Sequence, residues 1–88
     1  MPRISIITIC FNNAEGLKAT AASVRPILDL DVEGIIVDGN STDGTRNLLP
    51  SMGATFWICE PDRGIYDAMN KGLNQCAGEF VMFLNSGD

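Results

Sequence analysis

Three polar segments of this 88-residue chain carry residue types that could do chemistry: Asp38 to Asp43 (DGNSTD), Glu60 to Arg63 (EPDR) and Asn85 to Asp88 (NSGD). Each follows a short apolar run, as does a fourth pair, Asn12-Asn13. The donors on offer are oxygens. The chain has no histidine, and Cys10, Cys59 and Cys76 show no CxxC spacing, which argues against zinc. Carboxylates gathered at one edge repel one another unless a cation or a basic ligand joins them. Mg²⁺ or Mn²⁺ suits such a set, because it prefers oxygen and takes one or two carboxylates together with the oxygens of a diphosphate. The pattern points to a metal-nucleotide site, provided the fold collects these segments.

The elements that must collect them follow from periodicity. Ile4 to Cys10 is short and β-branched, so it reads as a buried strand ended by the turn-forming Asn12-Asn13. From Ala14, the apolar residues Leu17, Ala21, Val24 and Leu28 recur at spacings of three and four, predicting a helix with one face on the sheet. Pro26 should kink or end it. Gly34 to Val37 is a second strand, and Ser41 to Asp43 are placed to cap a helix through Leu48 and Leu49 that Pro50 and Gly53 stop.

Ala54 to Cys59 reads as a third strand, with Phe56 and Trp57 as packing residues. In the next helix Ile65, Met69, Leu73 and Cys76 would line the buried face, with Asp67, Asn70, Lys71 and Asn74 opposite. After Ala77-Gly78 comes a fourth strand, Phe80 to Leu84. Alternating strands and helices predict an α/β fold: Rossmann-like βαβ units, a mostly parallel four-stranded sheet and helices on both faces. In such a sheet the ligand binds beyond the carboxyl ends of the strands, which is where all four polar segments fall.

Composition bounds the partners. With 45% hydrophobic and 19% charged residues the chain is that of a globular interior, although its length is near the limit for a self-sufficient core. The net charge of −5 and six dispersed basic residues exclude a broad nucleic-acid surface. The first apolar run is too short and too polar for a signal peptide or membrane helix, and the three cysteines read as small buried hydrophobes in a reducing compartment, so a cytoplasmic location is expected.

The chain resembles the inverting family 2 glycosyltransferases of the GT-A fold, most closely a bacterial polysaccharide-assembly branch. The resemblance runs through Ile4 to Asn13 (ISIITICFNN), Val37 to Thr45 (VDGNSTDGT), Glu60 to Gly72 (EPDRGIYDAMNKG) and Gly78 to Asp88 (GEFVMFLNSGD). It implies a nucleotide-diphosphate sugar donor and a Mg²⁺ or Mn²⁺ cofactor. Thr8, Cys10 and Asn12 would border base and ribose, and Asp38 would contact the uracil or ribose. Gly39 stands where the family more often has a second, base-binding aspartate. Arg63 would lie near the base or diphosphate, Asp67 and Asn70 would border the donor, and Asp88, in the place of the DxD motif, would be the metal ligand.

The resemblance covers residues 1–88 as the nucleotide-sugar-binding N-terminal part of a transferase, ending after the DxD-like motif. No catalytic residue is assigned, because the family's base comes from a second half, so this chain alone is expected to be inactive. Plainer roles compete for several residues. Asp38 and Asp43 could be turn and cap residues, and Asp67 with Lys71 a surface helix pair. A different class is a non-catalytic nucleotide-binding module that forms a homo-oligomer through its uncovered fourth strand. A longer form would associate peripherally with a membrane. Other doubly wound proteins fit less well, since strand one is followed neither by GxGxxG nor by an acidic pair.

Overall fold

Strands one and two are rich in Ile and Val at consecutive positions, Ile6-Ile7 and Ile35-Ile36-Val37, the signature of strands covered on both faces. In the computed structural model, which describes residues 2–29 and 31–85, they are β1 (Ile4–Cys10) and β2 (Val32–Asp38), paired in parallel over their full length from Ile4↔Val32 to Cys10↔Asp38. β3 (Phe56–Cys59) pairs with β2 and β4 (Phe80–Phe83) with β1, both in parallel. The sheet order is β3-β2-β1-β4. The chain therefore winds outward from β1 through β2 to β3, then returns to the other side of β1. That reversal leaves a crevice beyond the carboxyl ends of β1 and β4.

Helices cover both faces, as expected. α1 (Ala14–Val24) and the short α2 (Thr45–Leu48) pack on one side, where Leu17 and Leu49 meet Cys10 and Ile36. α3 (Ile65–Gln75) packs on the other, where Ala68 meets Ile7, Ile35 and Val37. Asn13 caps α1, its side chain accepting the N–H of Gly16 at 3.1 Å. Pro26 acts as its geometry requires: α1 stops at Val24, a 3₁₀ turn spans Arg25–Ile27, and Leu28 is extended rather than helical. No described helix is long and apolar enough to cross a membrane.

The sequence-based face of α3 needs correction at Ile65 and Leu73, whereas Cys76 does pack against the core. Ala68 and Gly72 are its buried residues, whereas Ile65 and Leu73 are 49% and 41% exposed. Small residues win because the helix lies close to β1: a Cβ on Gly72 would sit 2.6 Å from Ile7 Cγ2. Phe56 and Trp57, read as packing residues, are each 40% exposed on the edge strand β3. At the amino end of the sheet a buried polar pin replaces apolar packing. Glu33 Oε2 accepts Ser5 Oγ–H at 2.5 Å and Ala77 N–H at 2.6 Å, while Gly78 N–H donates to Ser5 Oγ at 2.8 Å.

Candidate functional site

Two loops form the floor at the carboxyl edge, and their sequences explain why they lock together. Asn12 adopts a left-handed backbone (φ 49), which Asn tolerates better than most residues, and this turns the chain out of β1. Its backbone N–H donates to Ser41 Oγ at 2.8 Å, and its side-chain Oδ1 accepts Thr42 N–H at 2.8 Å. Further along, Asp43 Oδ2 accepts Ala14 N–H at 3.2 Å, tying the start of α1 to the β2–α2 loop. Asp43 Oδ1 accepts both the N–H and the hydroxyl of Thr45, so it serves the start of α2 although Gly44 holds the cap position. Those bonds, the Thr45 hydroxyl first, hold the Asp43 carboxyl below its ordinary range.

Asp38 is the buried centre of this floor. The residue is wholly inaccessible: Oδ1 accepts Ser41 Oγ–H at 2.6 Å, and Oδ2 accepts Ser41 N–H at 2.8 Å and Cys59 Sγ–H at 3.3 Å. Burial pushes the Cys59 thiol up, and the hydrogen bond and charge of Asp38 add to the shift. The thiol therefore stays protonated, a donor to Asp38 rather than a nucleophile.

The third loop, between β3 and α3, is braced from the helix. Lys71 Nζ donates to Pro61 O at 2.6 Å and pairs with Glu60 at 3.3 Å and Asp67 at 3.6 Å. Asp67 Oδ2 in turn accepts Arg63 N–H at 2.9 Å. Gly64 supplies the left-handed step (φ 116) before the helix. The braced loop delivers Asp62, whose Oδ1 accepts Gly64 N–H at 3.0 Å, to the wall of a cleft of about 340 Å³. Cys10, Phe11, Asp62, Gly64, Ile65 and Asn85 line it, and it lies at the switch point between β1 and β4. Phe11 is 60% exposed there, a flat apolar surface at a polar edge. A second groove, beyond β2 and β3, is bounded by Ser41, Thr42, Arg46 and Trp57.

The residues singled out from sequence separate into groups. Cys10, Asn12, Asp38 and Gly39 converge at the ends of β1 and β2. Thr8 is buried in β1 on the α1 side, among Leu17, Val24 and Ile36, and does not line the cleft. Arg63 is exposed on the third loop, and Asp67 is the brace of that loop. Asn70 is exposed on α3, two residues from buried Ala68 and Gly72 and so on the opposite face. Asp88 lies outside the described residues, three positions beyond Asn85. Among the described residues no group of three His, Cys, Asp or Glu side chains could hold a metal ion. Phe11 was not singled out, and Asp62 entered only as part of the Glu60 to Arg63 segment, without a role of its own. An aromatic residue directly after a buried strand, and an Asp two residues before a left-handed Gly, are the signals that could have marked them.

An open parallel sheet with helices on both faces and a cleft at its switch point defines a doubly wound α/β domain. The chain belongs to glycosyl transferase family 2, whose profile matches residues 5–88. It is 41% identical over 90 residues to an uncharacterized glycosyltransferase of Mycobacterium tuberculosis, covering 99% of this chain and 34% of that protein. Over 92 residues it is 36% identical to a PGL/p-HBAD biosynthesis glycosyltransferase of Mycobacterium bovis, covering 99% of this chain and 36% of the relative. Its fold matches glucosyl-3-phosphoglycerate synthase from Mycobacterium tuberculosis, solved with Mn²⁺, uridine diphosphate and glucosyl-3-phosphoglycerate, with a TM-score of 0.83 and 26% identity. That match covers 97% of this chain and 33% of the synthase. The chain thus spans about a third of the length of these proteins.

Proposed function

We propose that this chain is the donor-binding part of a glycosyltransferase that moves a sugar from a nucleoside diphosphate to a hydroxyl of a glycan or lipid-linked acceptor, with inversion. The observation that carries this reading is the cleft at the β1/β4 switch point, walled by Phe11 and Asp62 in a chain of this family. A nucleobase lies against the Phe11 ring, and the diphosphate runs toward the N-terminal end of α3, whose dipole favours negative charge. Arg63 is the cation at that rim. Asp38 acts by position, since its carboxylate is committed to Ser41 and Cys59, and it holds the floor on which Gly39 and Asn12 meet the donor.

In the transfer, the acceptor oxygen bonds to the anomeric carbon as the bond to the diphosphate oxygen breaks on the opposite face. The acceptor proton goes to a base, and no residue of this chain is assigned that role. Asp88 would hold a divalent cation as a carboxylate ligand beside the donor diphosphate. When bound, the cation offsets the charge of the departing diphosphate.

Calorimetric titration of the chain with UDP and GDP, each with and without Mn²⁺, tests the reading. Binding that requires Mn²⁺ and is lost in Asp88→Ala supports it; a folded chain that binds neither nucleotide refutes it. A second reading, a non-catalytic module that self-associates, is favoured by the exposed apolar residues Phe80 and Met82 on the edge strand β4, 58% and 53% accessible. Sedimentation velocity separates the two, because the module reading requires a dimer or larger species that includes the β4 edge.

A further inference from the structure

Asp62 presents one carboxylate oxygen that no described residue engages in a hydrogen bond. Its Oδ1 is fixed by Gly64 N–H at 3.0 Å, but Oδ2 accepts no hydrogen bond among the described residues. Oδ2 sits over Gly39: a Cβ at position 39 would lie 2.8 Å from it and 3.2 Å from Phe11 Cδ1. The backbone does not explain this glycine, since Gly39 is not among the positive-φ residues. Space does. Any side chain at 39 would occupy the volume that the Asp62 carboxylate and the Phe11 ring edge now share. The neighbouring Asp38, by contrast, is wholly buried with both oxygens satisfied. The carboxylate available to a ligand at this junction is therefore the one delivered by the third loop.

We infer that Asp62, seated over Gly39 beside the Phe11 ring, is the acceptor that selects the nucleobase of the donor. The inference rests on the reading of the cleft as a nucleoside diphosphate site and assigns its specificity. Phe11 and Asp62 Oδ2 converge on one point above Gly39, so a base lying against the ring brings its edge to the carboxylate. A carboxylate accepts only, and it favours a base with a ring N–H on that edge, N3–H of uracil or N1–H of guanine. Cytosine and adenine present a ring-nitrogen lone pair there, which the carboxylate repels, and offer it only the neighbouring exocyclic amine. The site accordingly favours UDP or GDP over CDP and ADP.

The test is calorimetric titration of the folded chain with UDP, GDP, CDP and ADP in the presence of Mn²⁺. UDP or GDP is expected to bind about tenfold or more tighter than CDP and ADP, the size of a hydrogen bond to a charged group. Asp62→Asn, whose amide both donates and accepts, should bring the UDP to CDP ratio close to one. Gly39→Ala should do the same by displacing the carboxylate, and combining the two should add nothing further, the mark of one shared element. Circular dichroism confirms that each variant is folded. A ratio unchanged in Asp62→Asn, or UDP and CDP weakened equally, overturns the inference and leaves the nucleotide site standing. Failure of the folded wild type to bind any of the four overturns that site and the inference with it.

Discussion

Gly72 of α3 lies against Ile7 of β1 so closely that a single added methyl would stand 2.6 Å from Ile7 Cγ2 and 3.2 Å from its Cδ1. Ile7 is fully buried in the α3-side core, with Ile35 and Val37 in the same cluster, so a buried side chain must shift to admit the methyl. Gly72→Ala gains helix propensity of about 1 kcal/mol, but overpacking a tight core costs about 1–3 kcal/mol. We expect net destabilisation, read as a lower urea midpoint. The same approach sets how α3 meets the third loop, so the variant should also weaken nucleotide binding.

Ser41 is the joint between the first two loops. Its hydroxyl donates to Asp38 Oδ1 at 2.6 Å and accepts Asn12 N–H at 2.8 Å, and the residue is almost wholly buried. Ser41→Ala leaves a buried carboxylate oxygen short of a donor, which costs about 2 kcal/mol. Chemical denaturation should show that loss, and Ser41→Thr, which keeps the hydroxyl, should recover part of it. A Ser41→Ala chain as stable as wild type would show that Asp38 is satisfied by other means.

What was legible in the sequence is what depends on local pattern. The β-branched run of β1 marks Ile4–Cys10 at both ends, and Pro26 marks the end of α1. The apolar face of α3 misled because hydrophobicity favours Ile65 and Leu73, whereas close approach to β1 favours Ala68 and Gly72. Lys71 and Asp67 read as a surface pair on that pattern. They do pair, at 3.6 Å, and they also brace the third loop, because the peptide oxygen of Pro61 and the N–H of Arg63 lie within their reach. The contact between Gly39 and Asp62 was out of reach altogether, since it joins two loops that only the sheet brings together.

Acid should loosen the join between α1 and α2. Asp43 accepts from Ala14 and Thr45, and the Thr45 hydroxyl contributes most to holding its carboxyl below the ordinary value of 3.8. A carboxyl depressed in the folded state adds stability above its unfolded value, and that stability is lost as pH falls through the depressed folded value. The stability difference between wild type and Asp43→Asn should therefore hold near neutrality and shrink below pH 3.8. Carbon-detected NMR titration should place the Asp43 midpoint below that value in wild type and nearer to it in Thr45→Val. An Asp43 midpoint at or above 3.8 in wild type would contradict the hydrogen-bond assignment.

Lys71 separates positioning from stability. Its side chain is 20% exposed, and its ion-pair partners Glu60 and Asp67 are more open at 53% and 36%, so the pairs themselves are worth about 1 kcal/mol or less. Its bond to Pro61 O has a different consequence, because it fixes the segment that carries Asp62 to the cleft. Lys71→Met keeps the buried stem of the side chain and removes only the ammonium group. The denaturation midpoint should hardly move, while the third loop samples more arrangements and the fraction competent to bind falls. Apparent affinity drops in proportion to that fraction, so nucleotide binding should weaken severalfold. High salt should reproduce little of this effect, since the Pro61 bond is not an ion pair. Equal nucleotide affinity in Lys71→Met and wild type would mean that the loop is held without the lysine, and that Asp67 through Arg63 N–H is sufficient.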